Sequence, residues 1–155
     1  MHFINLSKIK LIKEPHPLLH QKASKVKDLK DPKIIKIIEK MSKIMQKNKG
    51  IGLAAPQVGL LARIILIQTE NGILPLINPQ ITKKSKKKVS ALEGCLSVPG
   101  VSGMVLRNQS IKVQALSMGR DHLLFKAEGL FARVIQHEVD HLNGILFTEK
   151  MENPT

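Results

Sequence analysis

Tryptophan and tyrosine are missing from these 155 residues, and four phenylalanines are the only six-membered aromatic rings. Proteins that read single strands of nucleic acid usually stack bases on such rings, so no specific nucleic-acid recognition is expected. Cysteine occurs once, at Cys95. A lone cysteine excludes an internal disulfide and fits a reducing compartment. Acidic residues are few, 12 against 25 lysines and arginines, for a formal net charge of +13. That excess attracts polyanions, although lysine-rich solvated faces produce the same number. No apolar run approaches the ~20 residues that a membrane-spanning helix needs. Met1 to Lys13 lacks an apolar core followed by small residues, so no secretory signal is read and a cytoplasmic location is expected.

Hydrophobic residues make up 43% of the chain, enough for a packed core, and the length suits one domain spanning 1–155. There is no internal repeat. The most biased segment, Lys83-Lys84-Ser85-Lys86-Lys87-Lys88, reads as an exposed, mobile loop, because like charges repel and favour extension.

Two helices are predicted. One runs from about Pro32 to Asn48, with Asp31 as N-cap, Pro32 at the first helical position and Gly50 near the stop. Ile34, Ile37, Ile38, Met41, Ile44 and Met45 recur on one face, so this N-terminal helix is amphipathic. The other runs from about Gly129 to Leu142 and stops at Asn143-Gly144. Between them, Arg63 to Gln68, Pro75 to Asn78, Ile111 to Ala115 and Leu123 to Phe125 read as short strands. A helix, several strands and a helix argue for an α+β fold with mostly antiparallel sheets around the second helix.

That second helix carries the strongest chemical signal, His137-Glu138-Val139-Asp140-His141. Histidines four apart share one helical face and can reach one metal, with Glu138 placed as general base toward a water there. Leu130, Val134, His137, Glu138 and His141 follow one stripe. Charge at the end of an apolar stripe needs a partner, which a metal supplies, with Leu130 and Val134 as an apolar wall beside it. A catalytic site also needs a third protein ligand. The extended protease pattern has a histidine where this chain has Phe147, so the ligand is sought upstream, where Cys95 lies in Glu93-Gly94-Cys95-Leu96-Ser97. The flanking Gly94 and a tight turn at Val98-Pro99-Gly100 suggest a constrained loop. A lone cysteine is otherwise a small buried hydrophobe. A third segment, Gly50-Ile51-Gly52-Leu53-Ala54-Ala55-Pro56-Gln57, combines small residues that permit close backbone approach with an amide that can donate to an oxyanion, or is a glycine-rich turn.

In this order, the three segments resemble the three motifs of peptide deformylases: the glycine-rich GxGxAAxQ, EGCLS and the histidine pair with its glutamate. The likeness continues through Pro15-His16-Pro17, Ile77-Asn78-Pro79, Val105-Leu106-Arg107 and Gly129 to Phe147. The resemblance implies metal-dependent removal of the formyl group from N-formylmethionyl nascent peptides, releasing formate. It implies Cys95, His137 and His141 as ligands of one divalent ion, Fe(2+) first, with Ni(2+), Co(2+) or Zn(2+) as alternatives. It implies Glu138 as the proton carrier, Gln57 and the Leu96 N–H as oxyanion donors, and Gly52 pressed close to the centre. Ile51, Leu130 and Val134 are implied to receive the methionine side chain. Asp140 is expected to orient a ligating histidine, and Glu93 to pair with Arg107.

The chain departs from the family where His20 aligns with an arginine and where Arg133 replaces an apolar residue of some members. It is also expected to lack a long C-terminal ribosome-docking helix, so any ribosome contact is expected through other basic surface; a monomer is expected. A peptidase with the same metal machinery and a basic RNA-binding module that has lost catalysis are the competing readings. The intact Cys95, His137, Glu138 and His141 speak against the second.

Overall fold

The computed structural model describes residues 4–152. The elements run α1 (Lys33–Lys47), β1 (Gly52–Ala54), β2 (Ile64–Thr69), β3 (Gly72–Lys84), β4 (Lys88–Cys95), β5 (Val98–Asn108), β6 (Ser110–Leu116), β7 (His122–Glu128) and α2 (Gly129–Leu142), with short 3-10 turns before α1, after β1 and after α2. Five strands form one sheet in the order β1-β2-β3-β6-β7, while β4 and β5 pair separately. All of these strand pairings are antiparallel. The fold is α+β with antiparallel sheets and two helices.

The continuous apolar run in β2 has a structural cause. Ile64 and Leu66 pack into the core beneath α1, whereas Ile65 and Ile67 pack into the core around α2. Successive strand side chains point to opposite faces, so a strand with a helix against each face has no room for polar alternation. β6 has one wet face, and Ile111, Val113 and Ala115 are buried between exposed Lys112 and Gln114. From Ala132 to Leu142 every residue of α2 is buried.

Both helix ends are built locally. The Asp31 Oδ1 accepts from the Lys33 N–H at 2.9 Å, so Asp31 caps α1 from just outside it. At the other end Lys49, not glycine, takes the left-handed conformation at φ 56°. The Lys49 N–H bonds the Gln46 carbonyl at 3.1 Å and the Gly50 N–H bonds the Met45 carbonyl at 2.9 Å, a Schellman closure.

The hairpin β4–β5 is absent from the sequence reading. Glu93, Gly94 and Cys95 are not in a loop but finish β4, and only Leu96 and Ser97 turn before β5, which takes in Val98-Pro99-Gly100. The lysine run also differs from the expected mobile loop. Lys83 and Lys84 end β3, Lys88 begins β4, and the crossover between them is pinned. The Ser85 N–H bonds the Ser110 carbonyl at 2.9 Å and the Asn108 amide bonds the Ser85 carbonyl at 2.8 Å. The lysine side chains are exposed while the backbone bonds to its neighbours. The crossover lies at the opposite end of β4 from Cys95 and borders no part of the site described next.

Candidate metal centre

The turn that ends β4 delivers Cys95 to the buried face of α2. The ligand atoms of Cys95, His137 and His141 all lie within 4.8 Å of one another, and Cys95 Sγ is 3.3 Å from His141 Nε2. The two imidazoles sit one helical turn apart with ring centroids 5.0 Å from each other. Sulfur and two imidazole nitrogens suit zinc, iron, nickel or cobalt better than hard cations.

The histidine rings are held differently. His137 Nδ1 lies 2.9 Å from Glu93 Oε1, which leaves Nε2 for the centre. Glu93 in turn accepts Arg107 through Nε and Nη2, each at 2.9 Å, and Arg133 Nη1 at 2.7 Å. Burial alone would raise the Glu93 carboxyl, but hydrogen bonds from Arg107 and His137 prevail and hold it well below the usual carboxylate range. Asp140, expected to orient a histidine, instead receives Arg107 Nη1 and Lys150 Nζ. One helical position from His141 is about 100° around the axis, which turns Asp140 toward β5 and the C-terminal segment.

The remaining ring and the carboxylate beside it are less tied. The His141 Nδ1 and Glu138 Oε2 atoms are buried without hydrogen-bond partners among the described residues. Burial drives His141 well below its ordinary pKa, so its imidazole is neutral and able to ligate. Burial also lowers His137, but bonding to Cys95 and Glu93 outweighs it and lifts that group to about 10. Glu138 Oε1 is 4.0 Å from His137 Nε2. Burial pushes the Glu138 carboxyl up to about 7 against the pull of His137 and Arg107.

Gln57 closes another side. Its Oε1 accepts the Ala54 N–H at 2.9 Å, which fixes the amide so that Nε2 points at Cys95 Sγ, 3.4 Å away, and Ser97 Oγ, 3.2 Å away. Gly52 lies against α2: an added Cβ would fall 2.7 Å from both Glu138 Oε1 and Val134 Cγ1. A pocket of about 500 Å³ opens here, and Ile51, Gly52, Gln57, Leu96, Leu130 and Val134 line it with Cys95, His137 and Glu138. Val134 is buried, whereas Ile51 and Leu130 stand half or more exposed at the mouth. His20 is not in this lining; its Nε2 meets Glu14 Oε1 at 2.7 Å.

Sequence reasoning gave no role to four residues around the centre. Ser97 is fully buried against Gln57. Phe147 stacks on His137 at 5.9 Å between centroids, so the position that lacks a ligand supplies a wall. Lys150 closes on Asp140, and Arg133, part of the pocket lining, reaches Glu93. Ser97 lies two residues after the cysteine, within the same short motif; the other three meet partners ten or more residues away.

A family profile described as polypeptide deformylase matches residues 8–155. A peptide deformylase of Carboxydothermus hydrogenoformans is 44% identical over 144 residues, covering 93% of each chain. Among solved structures, peptide deformylase from Thermotoga maritima superposes with a TM-score of 0.90 at 35% identity, over 94% of this chain and 98% of that one. A class I type b peptide deformylase from Acinetobacter baumannii bound to Met-Ala-Ser superposes with a TM-score of 0.88 at 33% identity, over 92% of this chain and 98% of that one. On its fold, its site and these relatives, the chain belongs to the polypeptide deformylase family of hydrolases.

Proposed function

We propose that this chain removes the formyl group from N-formylmethionyl nascent peptides, using one divalent ion held by Cys95, His137 and His141. The observation that carries the reading is the convergence of those three donors beside a buried, partly unpartnered carboxylate in a pocket with apolar walls. The bound Met-Ala-Ser of the Acinetobacter relative has the form of a deformylated product and supports the substrate class. Fe(2+) is the first choice of metal, with Ni(2+), Co(2+) and Zn(2+) compatible with the same ligands. When bound, the ion supplies Lewis-acid polarisation and a lowered pKa for water.

The protein side chains do the rest. Glu138 takes a proton from the attacking water and returns it to the leaving nitrogen as the formyl C–N bond breaks, giving formate and a free amine. Gln57 Nε2, fixed by the Ala54 N–H, and the Leu96 backbone N–H donate to the oxygen that gains charge. Ile51, Leu130 and Val134 receive the methionine side chain. Among the described residues no helix is long and apolar enough to cross a membrane. The protein acts as a cytoplasmic monomer, and any ribosome contact runs through its basic surface.

The test compares formyl-Met-Ala, acetyl-Met-Ala and formyl-Asp-Ala by amine release. Only the first is expected to turn over well, because Gly52, Gln57 and Leu96 close around the carbonyl and a packed wall yields reluctantly to an extra methyl. An acetyl peptide cleaved as fast as the formyl peptide rejects the pocket assignment. Absence of formate release from the metal-loaded protein rejects the function.

Gly52→Ala probes the close approach. Its Cβ collides with Glu138 and Val134, so one of them must shift. Displacements of this size cost on the order of 10²-fold in rate. A drop of that size in kcat/KM at full metal content is expected; unchanged kinetics show that Glu138 has more room than the structure gives it.

A further inference from the structure

Arg133 lies one helical turn before His137 on α2 and is buried. Its Nη1 donates to Glu93 Oε2 at 2.7 Å and to the Val105 carbonyl at 2.8 Å, while Nη2 donates to the Val89 carbonyl. Val89 belongs to β4 and Val105 to β5, so one guanidinium joins both strands of the hairpin to the helix. Glu93 lies two residues before Cys95 on the same strand and also holds His137 Nδ1. The charge of Glu93 does not require Arg133, because Arg107 already engages both carboxylate oxygens. Burying a further cation is unfavourable unless each of its donors is used in a fixed geometry. The planar fork of arginine spreads its donors over separate nitrogens and so reaches both strands and Glu93 together; lysine has its three donors on a single nitrogen.

We propose that Arg133 is a positioning residue for the metal centre, fixing the Cys95-bearing hairpin and the Glu93–His137 contact in one geometry. The inference rests on the metal reading given under Proposed function. Gln136 provides the contrast. It also ties α2 to β5, with Nε2 donating to the Asn108 carbonyl at 2.9 Å and Oε1 accepting the Asn108 N–H at 3.2 Å. No bond joins it to Glu93.

The experiment titrates Co(2+) into metal-free wild-type, Arg133→Met, Arg133→Lys and Gln136→Met proteins. It records affinity, the thiolate-to-cobalt and d–d absorption bands, and Tm. Residues that orient metal ligands are typically worth about 10- to 100-fold in affinity. Arg133→Met is expected to lose that much and to shift the d–d bands, and Arg133→Lys to recover only part of it. Gln136→Met is expected to lower Tm while leaving affinity and spectrum unchanged. The proposal is overturned if Arg133→Met matches wild type in affinity and spectrum, if lysine restores both fully, or if Gln136→Met loses as much affinity as Arg133→Met. Should Arg133→Met fail to fold, Arg133→Lys against wild type decides by the same two readouts. Wild-type protein that takes up no Co(2+) overturns the metal reading itself, a result visible before any variant is compared.

Discussion

Purified Cys95→Ala, His137→Ala and His141→Ala proteins are each expected to emerge without stoichiometric metal and without deformylation above background. With one of three converging donors removed, two ligands remain, and a catalytic site built on three protein ligands does not hold its ion tightly with two. The lost Lewis-acid contribution is several kcal/mol, a factor of roughly 10³ or more in rate. His137→Ala has a second effect, because Glu93 then loses a hydrogen bond in a buried cluster with Arg107 and Arg133. Metal analysis by mass spectrometry and formate release from formyl-Met-Ala check the expectation together. Tight stoichiometric metal in Cys95→Ala would falsify the ligand set.

Glu138→Gln separates the proton carrier from the ligands. The side chain stays nearly the same size, the three donors remain, and only the ability to accept a proton goes. Turnover is expected to fall about 10²- to 10⁴-fold at unchanged metal content. The same substitution should act in the opposite direction on stability. In metal-free protein, burial raises the Glu138 carboxyl from 4.5 to about 7. A raised carboxyl means that the fold disfavours the ionised form. Stability is therefore lost as pH climbs through that interval and stays lower above it. Glutamine cannot ionise, so metal-free Glu138→Gln is expected to melt higher than wild type near pH ~8 and about equally near pH ~4. Equal Tm values at the higher pH would show that Glu138 carries no such penalty, and near-normal turnover would remove it from the mechanism.

Much of this arrangement is legible in the chain because its signals are local. Histidines at i and i+4 with Glu138 between them need only the helical period to share a face. The boundaries of α2, Gly129 and Leu142, are marked by the glycine that precedes the stripe and the Asn143-Gly144 stop. The hairpin that carries Cys95 is not legible, for a physical reason. Its inner face holds Glu93, Val105 and Arg107, all buried, while its outer face leaves Leu92, Met104 and Leu106 exposed. With a carboxylate inside and leucines outside, the two-residue alternation that marks a half-buried strand is erased. The inner charge is tolerable only because Arg107, Arg133 and His137 meet it, and those residues lie 14, 40 and 44 positions away. No local pattern encodes such partners. The capture of Asp140 by Lys150 depends in the same way on the segment after α2 folding back.

The two-sided burial of β2 has a consequence for engineering. Ile64 and Leu66 belong to the packing of α1, whereas Ile65 and Ile67 touch the packing around the helix that bears the site. One strand therefore offers two independent controls, selected by whether a position is even or odd. Changes at 64 and 66 act through the packing of α1, and changes at 65 and 67 reach the histidine-bearing helix without altering any residue of the pocket.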